Sequence, residues 1–140
     1  MRHPYAPQAA GFTTADVVGV VDEWALRFFA EMDYTLEAAN AEALRGALAG
    51  LSGVEIADVV PKLSSIDVLT TRWVAGEKLG ESSASDVRQL CDTLLNAYLV
   101  QLLEAGVMHA DPHPGNLLRT PEGKICILDY GLITEVGGWQ

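Results

Sequence analysis

Apolar residues recur at three- and four-residue steps from Val17 through Val20 or Val21, Trp24, Phe28 and Met32 to Leu36. That stripe predicts an amphipathic helix with one buried face. Thr13 is a good N-cap for it, with Asp16 placed to complete a weak capping box and Phe12 placed to staple onto Val17. The pattern runs on through Ala38, Ala39, Ala41 and Leu44 to Ala49 and stops at Gly50. This is too long for one straight helix, so a bend near Asp33 and Tyr34, or two successive helices, is expected. Beyond Gly53 the runs Val59 to Leu63 and Asp67 to Val74 read as an antiparallel pair of β-strands around a Ser64-Ser65 turn. Ser83, with Asp86 three residues on, then marks a second long helix. Its broad apolar face takes in Val87, Leu90, Cys91, Leu94, Leu95, Tyr98, Leu99, Leu102 and Leu103, up to Gly106.

From His109 to Gly131 the periodicity gives way to His-Ala-Asp-Pro-His-Pro-Gly-Asn-Leu-Leu-Arg-Thr-Pro-Glu-Gly-Lys-Ile-Cys-Ile-Leu-Asp-Tyr-Gly. Pro112 and Pro114 exclude helix after Asp111 and hold the chain in a stiff loop as far as Asn116. Leu117 and Leu118 begin a short strand, Pro121 to Lys124 is a tight turn, and Ile125 to Leu128 is a second strand ending at Asp129. This hairpin is expected to bring Asp129 back toward Asn116. Met1 to Gly11 is an irregular lead-in with little periodicity.

Composition narrows the classes. The chain has 140 residues, about the size of one domain. No apolar run reaches the roughly 18 residues that cross a bilayer without charges. A net charge of −10 argues against nucleic acid or an anionic membrane as direct partner of this surface. Two cysteines, Cys91 and Cys126, lie in apolar surroundings without Cys-x-x-Cys spacing and are expected as buried, reduced thiols. The start of the chain shows neither a signal-peptide core nor a transit-peptide pattern.

The chemistry concentrates in Asp111, Asn116 and Asp129. An Asp, an Asn five positions on and an Asp-aromatic-Gly after a hairpin form the C-terminal half of the protein-kinase signature. There the first Asp orients or accepts the substrate proton, while the Asn and the second Asp hold magnesium on nucleotide phosphates. Oxygen donors of this kind suit a hard cation such as Mg²⁺. A His/Asp metal-hydrolase site is the competing chemistry, but zinc would want a third ligand at defined spacing and none is apparent. His109 reads as a packing and hydrogen-bonding residue. His113 stands where ordinary kinases place a phosphate-contacting lysine.

The run from His109 to Asn116 closely resembles the catalytic loop of the UbiB/ADCK family of atypical kinases, and Asp129-Tyr130-Gly131 resembles that family's Asp-Phe-Gly. The resemblance implies an α+β, protein-kinase-like fold: a mostly helical C-lobe with helix C and the last strands of the N-lobe. Residues 1–12 would be a lead-in and 13–140 a partial kinase domain, with an N-lobe remnant over about 13–75 and a C-lobe part over about 76–140. It further implies Asp111 as catalytic residue, Asn116 and Asp129 as metal ligands, and ATP and Mg²⁺ as cofactors. Glu31 and Asp33 match the family's Glu-x-Asp motif, and Glu37 matches the helix-C glutamate that pairs with a strand lysine. On the residues alone these three carboxylates read first as solvated helix charges. Arg72, Trp73 and Val74 fall where the lobes join and would meet adenine through backbone groups.

The family's nucleotide loop and strand lysine would lie upstream of Thr13, and Met1 to Phe12 holds neither, so the chain reads as a fragment. Two functions follow. One is part of an ATP-using kinase or ATPase supporting prenylquinone or isoprenoid-lipid metabolism in a plastid, a mitochondrion or at a bacterial membrane, with pathway lipids or proteins as partners. The other is a truncated, non-catalytic, pseudokinase-like binding module.

Overall fold

The computed structural model describes residues 14–111 and 113–136. The Thr13 cap, the Phe12 staple, Pro112 and the lead-in fall outside the described residues, as do the side chains of Asp16 and Glu31. Helix α1, Thr14–Glu31, belongs as far as Ala30 to one compact unit, and residues from Glu31 onward belong to another. Trp24 and Phe28 stack along α1 with ring centroids 5.2 Å apart. Among the described residues of its own unit nothing covers the expected stripe: Val17, Trp24 and Phe28 are all exposed. A single helix has no second layer of its own to cover an apolar face.

The second unit opens where the bend was expected. Helix α2, Tyr34–Ala47, starts behind Asp33, whose carboxylate accepts the Thr35 N–H at 2.9 Å. Its buried face is Ala41, Leu44 and, just past its end, Leu48, while Leu36 stays exposed. The inward face thus uses the later part of the apolar pattern, Ala41 and Leu44, and not Leu36. Strand β1, Val54–Ile56, follows, and Arg45 ties it to α2 by donating to the Ala57 carbonyl at 3.0 Å.

The expected strand pair over 59–74 is a correction. The segment is an irregular hairpin with isolated antiparallel bridges at Val59–Thr71 and Ser65–Val68. Pro61 has no N–H for a ladder and instead begins a 3₁₀ turn, Pro61–Leu63. The Ser64 hydroxyl takes the Thr70 N–H at 3.0 Å and donates to the Val60 carbonyl, so a side chain does locally what a ladder would have done.

Strand β2, Glu77–Lys78, leads to helix α3, Val87–Val100. Asp86 occupies the N-cap position yet makes no cap bond. Its carboxylate is taken by the Arg119 guanidinium at 2.8 and 3.0 Å, which holds its pKa down; a charge-assisted bidentate pair outcompetes the expected Ser83 to Asp86 capping box. Leu90 and Ala97 are buried, but Leu95, Leu99, Leu102 and Leu103 are exposed, so only part of the broad apolar face is used. Cys91 shares that outer side and is exposed, against expectation; Cys126 is buried, its thiol pushed up to about 11 chiefly by desolvation. The helix widens into a π turn over Gln101–Ala105 and ends at Gly106, whose φ of 67° is left-handed.

Strands β3 (Val107–His109), β4 (Leu117–Arg119), β5 (Ile125–Ile127) and β6 (Ile133–Glu135) complete the unit. One sheet has the order β1-β5-β4-β2, with β1 parallel to β5 and the other pairs antiparallel; β3 and β6 form a separate antiparallel pair. The first sheet thus joins strands from either side of residue 75. The expected β4–β5 hairpin is present, closed by Gly123 at a φ of 72°. Strand β5 is central, and Ile125, Cys126 and Ile127 are all buried.

Ile125 is fully buried in the core with Leu44 and Ile127. Ile125→Ala is therefore expected to cost about 2–5 kcal/mol in urea unfolding. Leu63→Ala, at an exposed position, is expected to stay within roughly 0.5 kcal/mol of the parent.

Candidate functional site

Three local devices aim the site residues. Between Asp111 and Asn116 the chain makes a tight turn: the His113 N–H donates to the Asp111 carbonyl at 2.8 Å, and the Asn116 N–H to the His113 carbonyl at 2.9 Å. His113 itself is exposed and spends its Nδ1 on the Gly115 N–H at 3.1 Å. The hairpin ladder continues one step past β5, where the Leu128 N–H reaches the Asn116 carbonyl at 3.0 Å. That step places Asn116 beside Asp129, and Asn116 Nδ2 donates to Asp129 Oδ2 at 3.0 Å. The other carboxylate oxygen accepts the Gly131 N–H at 3.0 Å.

The third device is α2. Glu37 and Asn40 lie three residues apart on one helical face. Glu37 Oε1 accepts the Tyr130 N–H at 3.3 Å, and Asn40 Nδ2 donates to the Tyr130 carbonyl at 2.8 Å. Both peptide groups of the residue after Asp129 are thereby held. The Tyr130 ring is fully buried, and its hydroxyl accepts the Ala57 N–H at 3.0 Å and donates to the Ile127 carbonyl. Desolvation raises the phenol's pKa far above its ordinary value, and the Ala57 hydrogen bond only partly opposes this.

Asp111 and Asp129 face one cavity of about 310 Å³ together with Tyr34, Glu37, Gly131 and Leu132. No lysine or arginine is among these lining residues. Two acids and a half-buried Glu37 around a single opening make an electronegative recess. Desolvation raises the Glu37 pKa, the Tyr130 N–H opposes this, and the Asp129 charge adds to it. Asn116 keeps its side-chain carbonyl oxygen free of its bond to Asp129, so the donors at this end are all oxygens. That set fits a hard divalent cation.

The structure thus sets Asp111, Asp129 and Glu37 around one cavity and ties Asn116 to Asp129, while among the described residues no three His, Cys, Asp or Glu side chains converge on one metal position. It does not bring Asp33, Arg72, Trp73 or Val74 there, and the side chain of Glu31 lies outside the described residues. Asp33 is spent capping α2, and its hydrogen bond with Thr35 lowers its pKa. Arg72 is exposed beside Asp58 at 3.7 Å, Trp73 is 92% exposed, and none of Arg72, Trp73 and Val74 lines the cavity. Reading the sequence missed Asn40 and Tyr34. Asn40 had a usable signal, since it follows Glu37 by three residues and so shares its face.

A mixed α+β unit that presents an Asp-aromatic-Gly turn beneath a helix, with an Asp-to-Asn loop beside it, defines a protein-kinase-like fold. The chain belongs to the ABC1 atypical kinase-like domain family, whose model matches residues 5–138. It is 43% identical over 129 residues to Protein ACTIVITY OF BC1 COMPLEX KINASE 3, chloroplastic, of Arabidopsis thaliana, covering 89% of this chain and 18% of that protein. It is 35% identical over 131 residues to the uncharacterized protein sll0005 of Synechocystis, covering 90% and 19%. Rv3197 of Mycobacterium tuberculosis, solved in complex with erythromycin, superposes with a TM-score of 0.76 at 33% identity, over 95% of this chain and 34% of that one. The chain spans about a fifth of the length of the curated relatives it matches.

Removing the Tyr130 hydroxyl by Tyr130→Phe leaves the Ala57 N–H without its acceptor and is expected to cost about 1–3 kcal/mol in chemical denaturation. A cost near zero would show that water replaces the phenol.

Glu37 gives a pH signature. Its folded pKa lies above the ordinary 4.5, so from that value upward the folded chain keeps a proton the unfolded chain has released. Stability must then fall as pH rises through the window and level off above the raised value. Glu37→Gln, which retains an acceptor for the Tyr130 N–H, is expected to flatten that fall and raise the melting temperature at pH 7. Superimposable melting-temperature profiles from pH 4 to 8 would mean that Glu37 is fully solvated.

Proposed function

We propose that this chain carries the metal and phosphate end of an ATP-binding site in an atypical kinase or ATPase. The observation that carries this reading is the Asn116 to Asp129 hydrogen bond at 3.0 Å, with Asp111 on the same cavity. Asn116 Oδ1 and the Asp129 carboxylate are the donors that would hold Mg²⁺, which when bound would offset phosphate charge. Asp111, on the opposite side of the loop turn, would orient an acceptor hydroxyl or water and take its proton. Glu37 and Asn40 fix the Asp129 backbone through Tyr130, and Gly131 leaves Asp129 Oδ1 a backbone partner.

The names of chloroplastic relatives support a plastid setting, and the resemblance to UbiB/ADCK proteins supports service to prenylquinone metabolism by the full-length protein. A second reading has one specific observation in its favour. Glu37 contacts a backbone N–H, and no lysine is among the residues lining the cavity. A chain that binds cation without turning over nucleotide, as a pseudokinase-like module, accounts for that equally.

Mg²⁺ is expected to raise the melting temperature of the chain, by about 2.7 kcal/mol in stability at a hundredfold excess over Kd. Asp129→Asn is expected to abolish the rise while leaving the circular dichroism spectrum intact. An unchanged rise in that variant would place the cation elsewhere, and no rise in the parent would sink the metal reading. ATP titration by calorimetry in Mg²⁺ separates the readings: binding with slow phosphate release supports the enzyme, binding of Mg²⁺ alone the module.

A further inference from the structure

We propose that Gln101 is a positioning residue for Asp111 and Asp129, acting through His109. Gln101 is fully buried, and a buried amide is costly unless both of its ends are paired. Both are. Its Nε2 donates to the Ala97 carbonyl at 3.1 Å within the helix, and its Oε1 accepts the His109 N–H at 2.8 Å, eight residues away.

The His109 N–H needs such a partner. Among the described residues strand β3 pairs with β6 alone, and Ala110 sends its N–H toward that side, to Leu132. Alternate N–H groups point to opposite sides of a strand, so that of His109 points away from the ladder toward α3. There the helix has widened into its π turn, which begins at Gln101 itself. Extra turns of this kind re-aim side chains, and this one delivers an amide to a buried backbone donor.

His109 is also buried, and its ring joins the two acids. Nδ1 accepts the Asp111 N–H at 3.2 Å, and Nε2 lies 2.7 Å from the Asp129 carbonyl. Since Nδ1 is an acceptor, the ring proton sits on Nε2 and is donated to Asp129. A continuous line of hydrogen bonds runs from Ala97 through Gln101 and His109 to the backbones of both residues. A methionine of similar volume at 101 would orphan the His109 N–H. A glutamate in its neutral form would keep both bonds.

The roles of Asp111 and Asp129 rest on the metal reading above, so the first measurement needs no metal. In the ¹⁵N-labelled 140-residue chain the His109 ring is expected to show the Nε2–H tautomer. Gln101→Met is expected to mix the tautomers and to shift or broaden the amides of Asp111, Tyr130 and Gly131, while Gln101→Glu below pH 6 restores the parent spectrum. Added Mg²⁺ should then bind Gln101→Met about tenfold or more weakly. Lowered melting with an unchanged His109 tautomer and unchanged amides would reduce Gln101 to a packing role and overturn the proposal. If Gln101→Met does not fold, Gln101→Glu decides: parent-like spectra uphold the proposal, and altered ones overturn it. Parent-like positioning spectra without any Mg²⁺ response in the parent would sink the metal reading alone.

Discussion

The candidate site depends on the grip of α2 on the peptide groups of Tyr130. Glu37 takes the N–H and Asn40 the carbonyl, while the Tyr130 hydroxyl reaches back to Ala57 at the end of β1. A single residue is thus held at its backbone and at the far end of its side chain by elements distant in the chain. Asp129 precedes it and inherits the constraint, because the planar peptide bond between them leaves only the backbone dihedrals of Asp129 to absorb a displacement. Loosening α2 would therefore move a metal-ligand candidate without touching it.

The same arrangement explains why three short strands suffice. Strand β5 is buried between β1 and β4, so its end is the least deformable point of the sheet, and Asp129 follows two residues later. The hairpin supplies Asn116 from the antiparallel neighbour, and its ladder fixes the register that sets Asn116 against Asp129. Arg119, the last residue of β4, pairs with Asp86 and lies 3.5 Å from Glu77, tying the hairpin to the start of α3 and to β2. Asn116 and Asp129 adjoin paired strands, while Asp111 opens the loop that leads to Asn116.

Membership of the ABC1 family is compatible with either functional reading, because a fold carries many chemistries and only the site decides between them. What distinguishes this site is that Glu37 is satisfied within the chain. A half-buried carboxylate with a backbone N–H partner and a neighbouring acid is not an ordinary surface charge, and desolvation raises its pKa accordingly.

Local chemistry was legible in the sequence. The break before Tyr34, the Gly106 stop, the Pro121 to Lys124 hairpin turn and the spacing of Asp111, Asn116 and Asp129 all follow from residues acting on their covalent neighbours. The 59–74 strand pair failed for the same reason in reverse: β-rich composition is a weak guide, and Pro61 and Ser64 altered the local hydrogen bonding. Strand β1 was invisible, since three residues carry no period. Tertiary structure alone decided how much of the apolar faces of α2 and α3 is buried, that Asp86 serves Arg119 before its own helix, and that Gln101 meets His109. It also set Glu37 and Asn40 on Tyr130, across 93 and 90 residues of chain. Hydrogen-bond partners at such separations depend on how whole elements pack, and a carboxylate or an amide on a helix carries no mark of which distant backbone group it will meet.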